Sequence, residues 1–158
     1  MFKSPSQLPE AARATLSEAL NARLADGLDL HSQIKVAHWN VKGPQFAALH
    51  PLFETFAVGL AAFNDAIAER AVTLGGKALG TARHDAANSK LAEYPQQTTR
   101  DMEHVKLLAE RFEQYLQGLR QSRSVGESLA DTDTVDLLTG VISQFETHAW
   151  FLRASLES

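Results

Sequence analysis

One histidine and three carboxylates share one side of a helix predicted in the first half of the chain. On a wheel of about 100° per residue with His50 at zero, Glu54 falls at about 40°, Asp65 at about 60° and Glu69 at about 100°. Imidazole and carboxylate ligands together suit a borderline divalent metal such as iron or zinc. The stripe contains no lysine, unlike an ordinary solvated face. The alternative is a charged helix face that arose by chance.

Distance divides this stripe into two halves. Asp65 follows His50 by four helical turns, about 22 Å on a straight helix, so one metal site cannot use both from the same chain. Two copies packed antiparallel about a twofold axis would bring each histidine end against the partner's acidic end. Such isologous contacts are the commonest in homo-oligomers. The sequence therefore suggests a metal site shared between two subunits.

The helix that carries the stripe is predicted to begin at Pro44, because proline is acceptable in the first turn of a helix. Glycines at Gly75 and Gly76 interrupt its continuation. Pro51 lies inside it and removes one backbone hydrogen bond, which favours a kink beside His50. Large side chains at helical spacing form the apolar face. They are Phe46, Leu49, Leu52, Phe53, Phe56, Leu60, Phe63 and Ile67.

Composition indicates a single globular domain. The chain has 158 residues, of which 44% are hydrophobic and 22% charged. The net charge of −4 lacks the basic footprint of most nucleic-acid-binding proteins. No uninterrupted apolar run approaches the length of a membrane span, and the N-terminus lacks the apolar region of a signal peptide. With no cysteine present, thiolate chemistry is excluded and a cytoplasmic protein without membrane association is expected.

The start of the chain is predicted to be a short lead and then a long helix. Residues 1–8 are polar and expected to be flexible, and residues 9–158 form the domain. Pro9 stands near the start of the first helix, which runs to about residues 36–41 on a stripe of leucines.

The second half is predicted to contain two more long helices and no strand. A short helix around Ala86–Leu91 is expected in the long connection that precedes them. Thr98 or Thr99 is predicted to cap the third long helix. A loop at Ser122–Gly126 then separates it from the fourth. The expected architecture is a four-helix bundle.

Several segments together resemble the Dps family (DNA-binding proteins from starved cells), the dodecameric mini-ferritins. They are HWNVKGPQFAALH, the D-x-x-x-E-R of Asp65 to Arg70, TLGGKALGT, EYP, DTVDLLT and WFLRASLE. The resemblance covers nearly all of the chain after its first ten to fifteen residues. It implies an all-α, ferritin-like four-helix bundle with a short helix between the second and third long helices.

The resemblance also implies the ligands of a two-iron ferroxidase site. In the family, two histidines and the following acid come from one subunit, while the D-x-x-x-E pair comes from its twofold mate. The matching residues are His38, His50, Glu54, Asp65 and Glu69. Only the resemblance identifies His38 as a ligand. The family's position for Glu54 is often aspartate, and the longer side chain leaves the second iron's geometry open.

The implied activity is oxidation of Fe(II), usually by hydrogen peroxide, with storage of ferric mineral inside the dodecamer. Acids at positions matching Asp133 and Asp136 line threefold pores in the family, although negative charge also suits the start of a helix. Trp39 beside the site is either a packing residue or an electron source. A third reading is a structural bundle with an inert stripe, or one that holds zinc.

DNA binding is the alternative activity. Family members that coat DNA usually carry a mobile, lysine-rich terminal tail, whereas the first twelve residues here contain only Lys3 as a basic residue. A dodecamer would carry roughly −48 charges, which opposes phosphate binding. DNA binding is therefore expected to be weak or absent. The remaining histidines, His31, His84, His104 and His148, are expected in structural or exposed positions.

Overall fold

The computed structural model describes residues 1–157, and within them the fold is all-α, as predicted. The helices are α1 (Glu10–Asn40), α2 (Phe46–Thr73), α3 (Ala82–Asn88), α4 (Asp101–Ser128) and α5 (Thr132–Ala154). Short loops join α1 to α2 and α4 to α5, so each pair packs antiparallel, and α1 also packs against α4. Residues 74–100 connect the two pairs and contain α3. This is a four-helix bundle with one long crossover, the ferritin-like connectivity.

Aromatic rings fill the centre of the bundle. Phe56 of α2, Phe112 of α4 and Phe145 of α5 are fully buried, and their rings make edge-to-face contacts about the Phe112 ring. Such pairs stabilise a core beyond the area that they bury. Most of the predicted apolar face of α2 is buried here. Phe46 is the exception, because it is 46% exposed and its ring stands 5.1 Å from that of His50.

The prediction that Pro44 opens α2 is wrong, because the helix begins two residues later. Gly43 has φ +136°, a conformation that favours glycine, and a Cβ there would meet the Asp101 carboxylate at 2.5 Å. Asp101 Oδ2 accepts a hydrogen bond of 2.8 Å from the Gln45 N–H. This contact with α4 holds residues 43–45 in a turn, and α2 starts at Phe46.

The predicted cap at Thr98 or Thr99 is also wrong. Thr99 O accepts a hydrogen bond from the Lys42 N–H, and Asp101 N–H donates to Lys42 O, so an isolated bridge ties these residues to the α1–α2 loop. The backbone is extended through Arg100, and α4 begins only at Asp101.

No loop forms at Ser122–Gly126, where α4 continues to Ser128. Both small residues serve close helix packing instead. Ser122 Oγ donates to Ala19 O of α1 at 3.3 Å, and a Cβ at Gly126 would stand 3.0 Å from a methyl group of Val135 in α5. The serine and glycine residues that predicted a turn here instead allow α4 to pack closely against α1 and α5.

The short helix of the crossover lies earlier than predicted, at Ala82–Asn88 instead of Ala86–Leu91. It starts where the Asp85 N–H donates to Thr81 O, and the Lys90 N–H after it donates to Asp26 Oδ1 of α1. That bond fixes the chain in a non-helical course beyond Asn88.

The N-terminal lead lies along the end of α2. The Phe2 N–H donates to Gly75 O at 2.6 Å, and Ser4 Oγ donates to Thr73 O at 2.6 Å. Arg13 Nη1 of α1 donates to Leu74 O nearby. The flexibility expected of residues 1–8 stays a prediction.

Within residues 1–157, one helix, α2, is long and apolar enough by composition to cross a membrane, although no uninterrupted apolar run in the sequence is that long. The core helix of a bundle meets the same criterion. Only 28% of its apolar stretch is buried within the chain, so α2 presents much apolar surface outward.

Candidate metal centre

His38 and His50 hold each other's rings through backbone carbonyls. His38 Nδ1 lies 2.7 Å from His50 O, and His50 Nδ1 lies 2.9 Å from His38 O. The rings stack with their centroids 3.8 Å apart. His38 lies in the last turn of α1, where carbonyls lack helical partners, and Lys42 N–H bonds Thr99 O instead. The end of α1 therefore supplies an acceptor for the ring on α2.

These reciprocal bonds decide which nitrogen of each ring remains for a metal. A carbonyl only accepts, so each Nδ1 carries the proton, and in the neutral imidazole the lone pair is then on Nε2. Metal-bound histidines usually donate their other N–H to a carbonyl or carboxylate in this way. The geometry thus presents two Nε2 atoms as ligands from adjacent stacked rings.

Glu54 adds a carboxylate to the histidine pair, but a lysine already binds it. Glu54 Oε2 lies 3.5 Å from His38 Nε2 and also forms an ion pair with Lys35 Nζ. The hydrogen bond from the Lys35 ammonium lowers the pKa of Glu54 below its usual value. Lys35 Nζ also lies 5.7 Å from the centre of the exposed Trp39 ring, a cation–π distance.

The acidic half of the stripe is open to solvent. Asp65 and Glu69 are exposed, and neither forms a salt bridge with another residue in the described part of the chain. Within residues 1–157, no three histidine, aspartate or glutamate side chains come together to hold a metal ion. The chain thus brings His38 against His50 and within 3.5 Å of Glu54, but these side chains do not form a three-residue metal site and the acidic pair is not among them.

Arg70 connects the acidic half of the stripe to the start of α5. Its Nη2 binds both oxygens of buried Asp131 at 2.8 and 2.9 Å, and its Nε donates to Thr134 Oγ1 at 3.0 Å. Asp133 is 83% exposed at its side chain, and its Oδ2 is 3.9 Å from Arg70 Nη2. Asp136 is also exposed. The two predicted pore acids are therefore exposed at the start of α5, which Arg70 of α2 holds in place through Asp131.

Two of the other histidines lie in the core, whereas His31 lies close enough to Lys35 and Glu54 to interact with their charges. His104 is fully buried, and its Nδ1 is 2.6 Å from the hydroxyl of Tyr94 in the crossover. His148 is buried among phenylalanine rings, and burial lowers the pKa of both imidazoles. His31 and His84 are half-buried. The expected structural role is confirmed for the two buried rings.

The sequence and the fold are similar to those of known proteins. The sequence matches the Ferritin-like domain family over residues 17–158. A DNA protection during starvation protein of Agrobacterium fabrum is 36% identical, covering 98% of this chain and 96% of that protein. DNA protection during starvation protein 2 of Bacillus anthracis is 36% identical, covering 88% and 94%. The solved structure of DpsA14 from Streptomyces coelicolor is 32% identical with a TM-score of 0.94, covering 98% of this chain and 92% of its own.

The chain belongs to the Dps family of ferritin-like proteins. The Mycobacterium smegmatis Dps structure, 28% identical, has the same TM-score of 0.94 and covers 99% of this chain and 95% of its own. The all-α, ferritin-like bundle predicted from the sequence is thereby confirmed.

Two residues of this Dps protein, one in contact with the candidate centre and one next to it in the chain, were given no role by the sequence analysis. Lys35 precedes His38 by one helical turn, a spacing that places both on one face of α1, but its partner Glu54 is on another helix. Arg70 follows Glu69 directly, and its partner Asp131 begins the last helix. Neither contact has a local signal in the sequence.

Proposed function

We propose that this Dps protein oxidises Fe(II) at sites shared by two subunits and stores the ferric product as mineral inside a hollow dodecamer. The observation that carries the proposal is the histidine pair, whose Nδ1–carbonyl bonds leave both Nε2 atoms for a metal, with His38 Nε2 3.5 Å from the Glu54 carboxylate. Imidazole nitrogen and carboxylate oxygen suit iron, and the absence of thiolate agrees with an oxidising reaction at that centre.

The ligand set favours the oxidised metal. Carboxylates stabilise Fe(III) more than Fe(II), and a small number of protein ligands leaves positions open for water or peroxide. One hydrogen peroxide accepts one electron from each of two Fe(II) ions and, with two protons, gives two waters. No hydroxyl radical leaves the site in that balance. Zinc would bind the same ligands without oxidation and would act as an inhibitor.

Each ligand has a role in this proposal. Asp65, Glu69 and His50 would supply most of the protein ligands to the two Fe(II) ions, with Asp65 shared by both, and His38 would bind directly or through water. Glu54 serves the second ion once it has left Lys35.

The exposed face of α2 supports a twofold partner. Val58 and Val72 on α2 are 62% and 53% exposed, and small residues such as Ala61 and Ala62 are exposed between them. Surface of this kind on a helix favours burial against another subunit. An antiparallel α2 pair would cover it and bring Asp65 to the partner's His50.

Iron would enter through acidic pores around threefold axes. Asp133 and Asp136 point to solvent at the start of α5, and clustering about such an axis would triple each carboxylate and attract Fe(II). Arg70 fixes this turn through buried Asp131, so the acids keep a defined position relative to Glu69.

The first test is peroxide-driven oxidation of Fe(II) after anaerobic titration of the apo protein. The wild type is expected to saturate at about two Fe(II) per subunit. An Asp65→Asn, Glu69→Gln variant should lose rapid ferric absorbance because it keeps side-chain size but not the carboxylates. A Glu103→Gln, Glu110→Gln variant on the exposed face of α4 is the matched control and should react normally. Equal rates in all three proteins would reject a ferroxidase role for the stripe.

Sharing between subunits has its own test. Chains that lack the acids (Asp65→Ala, Glu69→Ala) and chains that lack the histidines (His38→Ala, His50→Ala) are each expected to be inactive. After mixed refolding, half of the twofold pairs combine one chain of each kind, and one of the two sites in such a pair is intact. Activity should therefore recover to about a quarter of the wild-type level. No recovery in assemblies shown to contain both chains would refute the shared site.

DNA protection in this proposal follows from removal of iron and peroxide in the cytoplasm, not from coating. The relatives from Agrobacterium fabrum and Bacillus anthracis carry DNA protection in their names. The alternative is a DNA-compacting protein in which iron oxidation is secondary. Lys3 is the lone basic residue ahead of Arg13, and Arg13 donates to Leu74 O. Tight complexes in a gel-shift assay at low salt would favour the alternative.

A further inference from the structure

The interior of the bundle contains two polar side chains that have no hydrogen-bond partner among residues 1–157. They are the amide of Asn64 on α2, which is 4% exposed, and the hydroxyl of Tyr115 on α4, which is 0% exposed. Buried polar groups nearly always form hydrogen bonds to protein or to ordered water. An unpaired buried group loses its hydrogen bonds to water and gains none in their place, which destabilises the fold.

Both side chains meet at one glycine of α1. A Cβ on Gly27 would stand 2.0 Å from Asn64 Oδ1 and 3.3 Å from Tyr115 Oη. The two oxygens therefore lie around a single point, close enough for one water molecule to bridge them, although they do not bond each other directly. Any larger residue at position 27 would collide with the Asn64 amide.

The chemistry of the two groups fits a water. Burial raises the pKa of Tyr115, so its hydroxyl keeps its proton and remains a donor. The Asn64 amide offers a carbonyl acceptor and two N–H donors. A buried water typically makes two to four hydrogen bonds, and these groups supply that number.

A cavity reaches the Asn64 side chain from solvent. Asn64 lines a cavity of about 490 Å³ between α1, α2 and the segment after α2. Most of its other walls are apolar, with Leu24 and Leu28 on one side, while Asp65 lies at the same cavity on the exposed side. A buried amide in apolar surroundings is where a water entering from solvent would be retained.

We propose that Asn64 and Tyr115, packed around Gly27, form a binding site for one ordered water molecule. The water links α2 and α4 through side chains that otherwise have no partner, and Gly27 of α1 packs against both. It lies beneath Asp65, so it fixes the part of α2 that carries the acidic half of the metal centre. The site does not depend on iron or on the proposed oxidation.

The test combines electron density with a matched pair of tyrosine variants. A crystal structure of the full chain at a resolution that shows water is expected to contain one within about 3.2 Å of both the Asn64 amide and Tyr115 Oη. Tyr94 provides the control, because its buried hydroxyl bonds His104 Nδ1 directly at 2.6 Å. Tyr115→Phe and Tyr94→Phe should each lower the thermal midpoint, by about 2–4 °C.

The direction in which Tyr115→Phe changes the thermal midpoint shows whether the Tyr115 hydroxyl is hydrogen-bonded to water or unpaired. If the hydroxyl is satisfied by water, its removal loses a hydrogen bond and destabilises the protein, as at Tyr94. If the hydroxyl is unpaired, its removal relieves a desolvation penalty and leaves the midpoint unchanged or raised. That result overturns the proposal. Density in which Asn64 and Tyr115 bond each other with no water between them overturns it equally.

Discussion

At the scale of single residues, the carboxylate of Glu54 has two competing partners. Lys35 Nζ forms an ion pair with Oε2, while His38 Nε2 approaches the same oxygen at 3.5 Å. A metal ion on the histidines has to draw Glu54 away from the lysine. The Trp39 ring, 5.7 Å from the ammonium, gives Lys35 a second favourable contact when that happens. In the proposed centre, Lys35 is therefore expected to compete with a metal ion for Glu54.

Lys35→Met is expected to tighten binding of the second Fe(II) per subunit by roughly two- to fivefold, since an exposed ion pair contributes little. The ammonium no longer competes for Glu54, and the apolar stem of the side chain is preserved. Anaerobic calorimetric titration with Fe(II) measures the change. The control is Lys106→Met, at an exposed position on α4. Unchanged or weaker affinity in Lys35→Met alone would contradict the competition.

At the scale of elements, a buried histidine joins α5 to its neighbours. The His148 ring lies 4.5 Å from that of Phe56 on α2 and 5.4 Å from that of Phe145 on α5. Burial lowers the pKa of His148 in the folded protein. The unfolded chain therefore takes up this proton first as the pH falls. Stability from the neutral ring is complete above the unfolded pKa of about 6.5 and declines below it.

The thermal midpoint is accordingly expected to fall as the pH decreases from about 7.5 to 5. His148→Leu should flatten that dependence, because a leucine keeps the apolar contacts and has no proton to gain. His84→Leu on α3, where the ring is half-buried, should leave the slope as in the wild type. Differential scanning calorimetry across this range provides the measurement. A His148→Leu slope equal to that of the wild type would remove His148 as a source of acid sensitivity.

At the scale of the whole molecule, the chain has a bundle core of its own, but the residues of the candidate metal centre lie in two separate groups. The core packs aromatic rings from α2, α4 and α5, while α2 leaves valines and alanines exposed beside Asp65 and Glu69. Val58 lies about midway between His50 and Asp65 along α2. In an antiparallel pair that joins those two residues, Val58 falls on the twofold axis and faces its own copy.

Val58→Cys is therefore expected to form a disulfide-linked dimer under mild oxidation. The natural chain has no cysteine, so a single product is possible. Val72→Cys, also on exposed α2, is the control and should stay monomeric on a non-reducing gel, since it lies about 21 Å from the axis position. Equal cross-linking of both variants, or of neither, would contradict the proposed packing.

The sequence alone determined the features that depend on neighbouring residues. Helical periodicity gave the long helices and the side of α2 that carries His50, Glu54, Asp65 and Glu69, because a helix repeats every 3.6 residues whatever packs around it. The same spacing made it clear that one chain cannot join both halves of the stripe. The spacing of motifs gave the resemblance that identified His38.

Tertiary structure decided what depends on residues far apart in the chain. The starts of α2 and α4 differ from the predicted ones because the α1–α2 loop is hydrogen-bonded to the start of α4. The helix α4 continues past the predicted loop because Gly126 packs against Val135. The proton position on each ring of the histidine pair follows from carbonyls on the opposite helix, and Glu54 pairs with a lysine on α1. Local patterns carry no information about such partners, since folding alone brings them within hydrogen-bond distance.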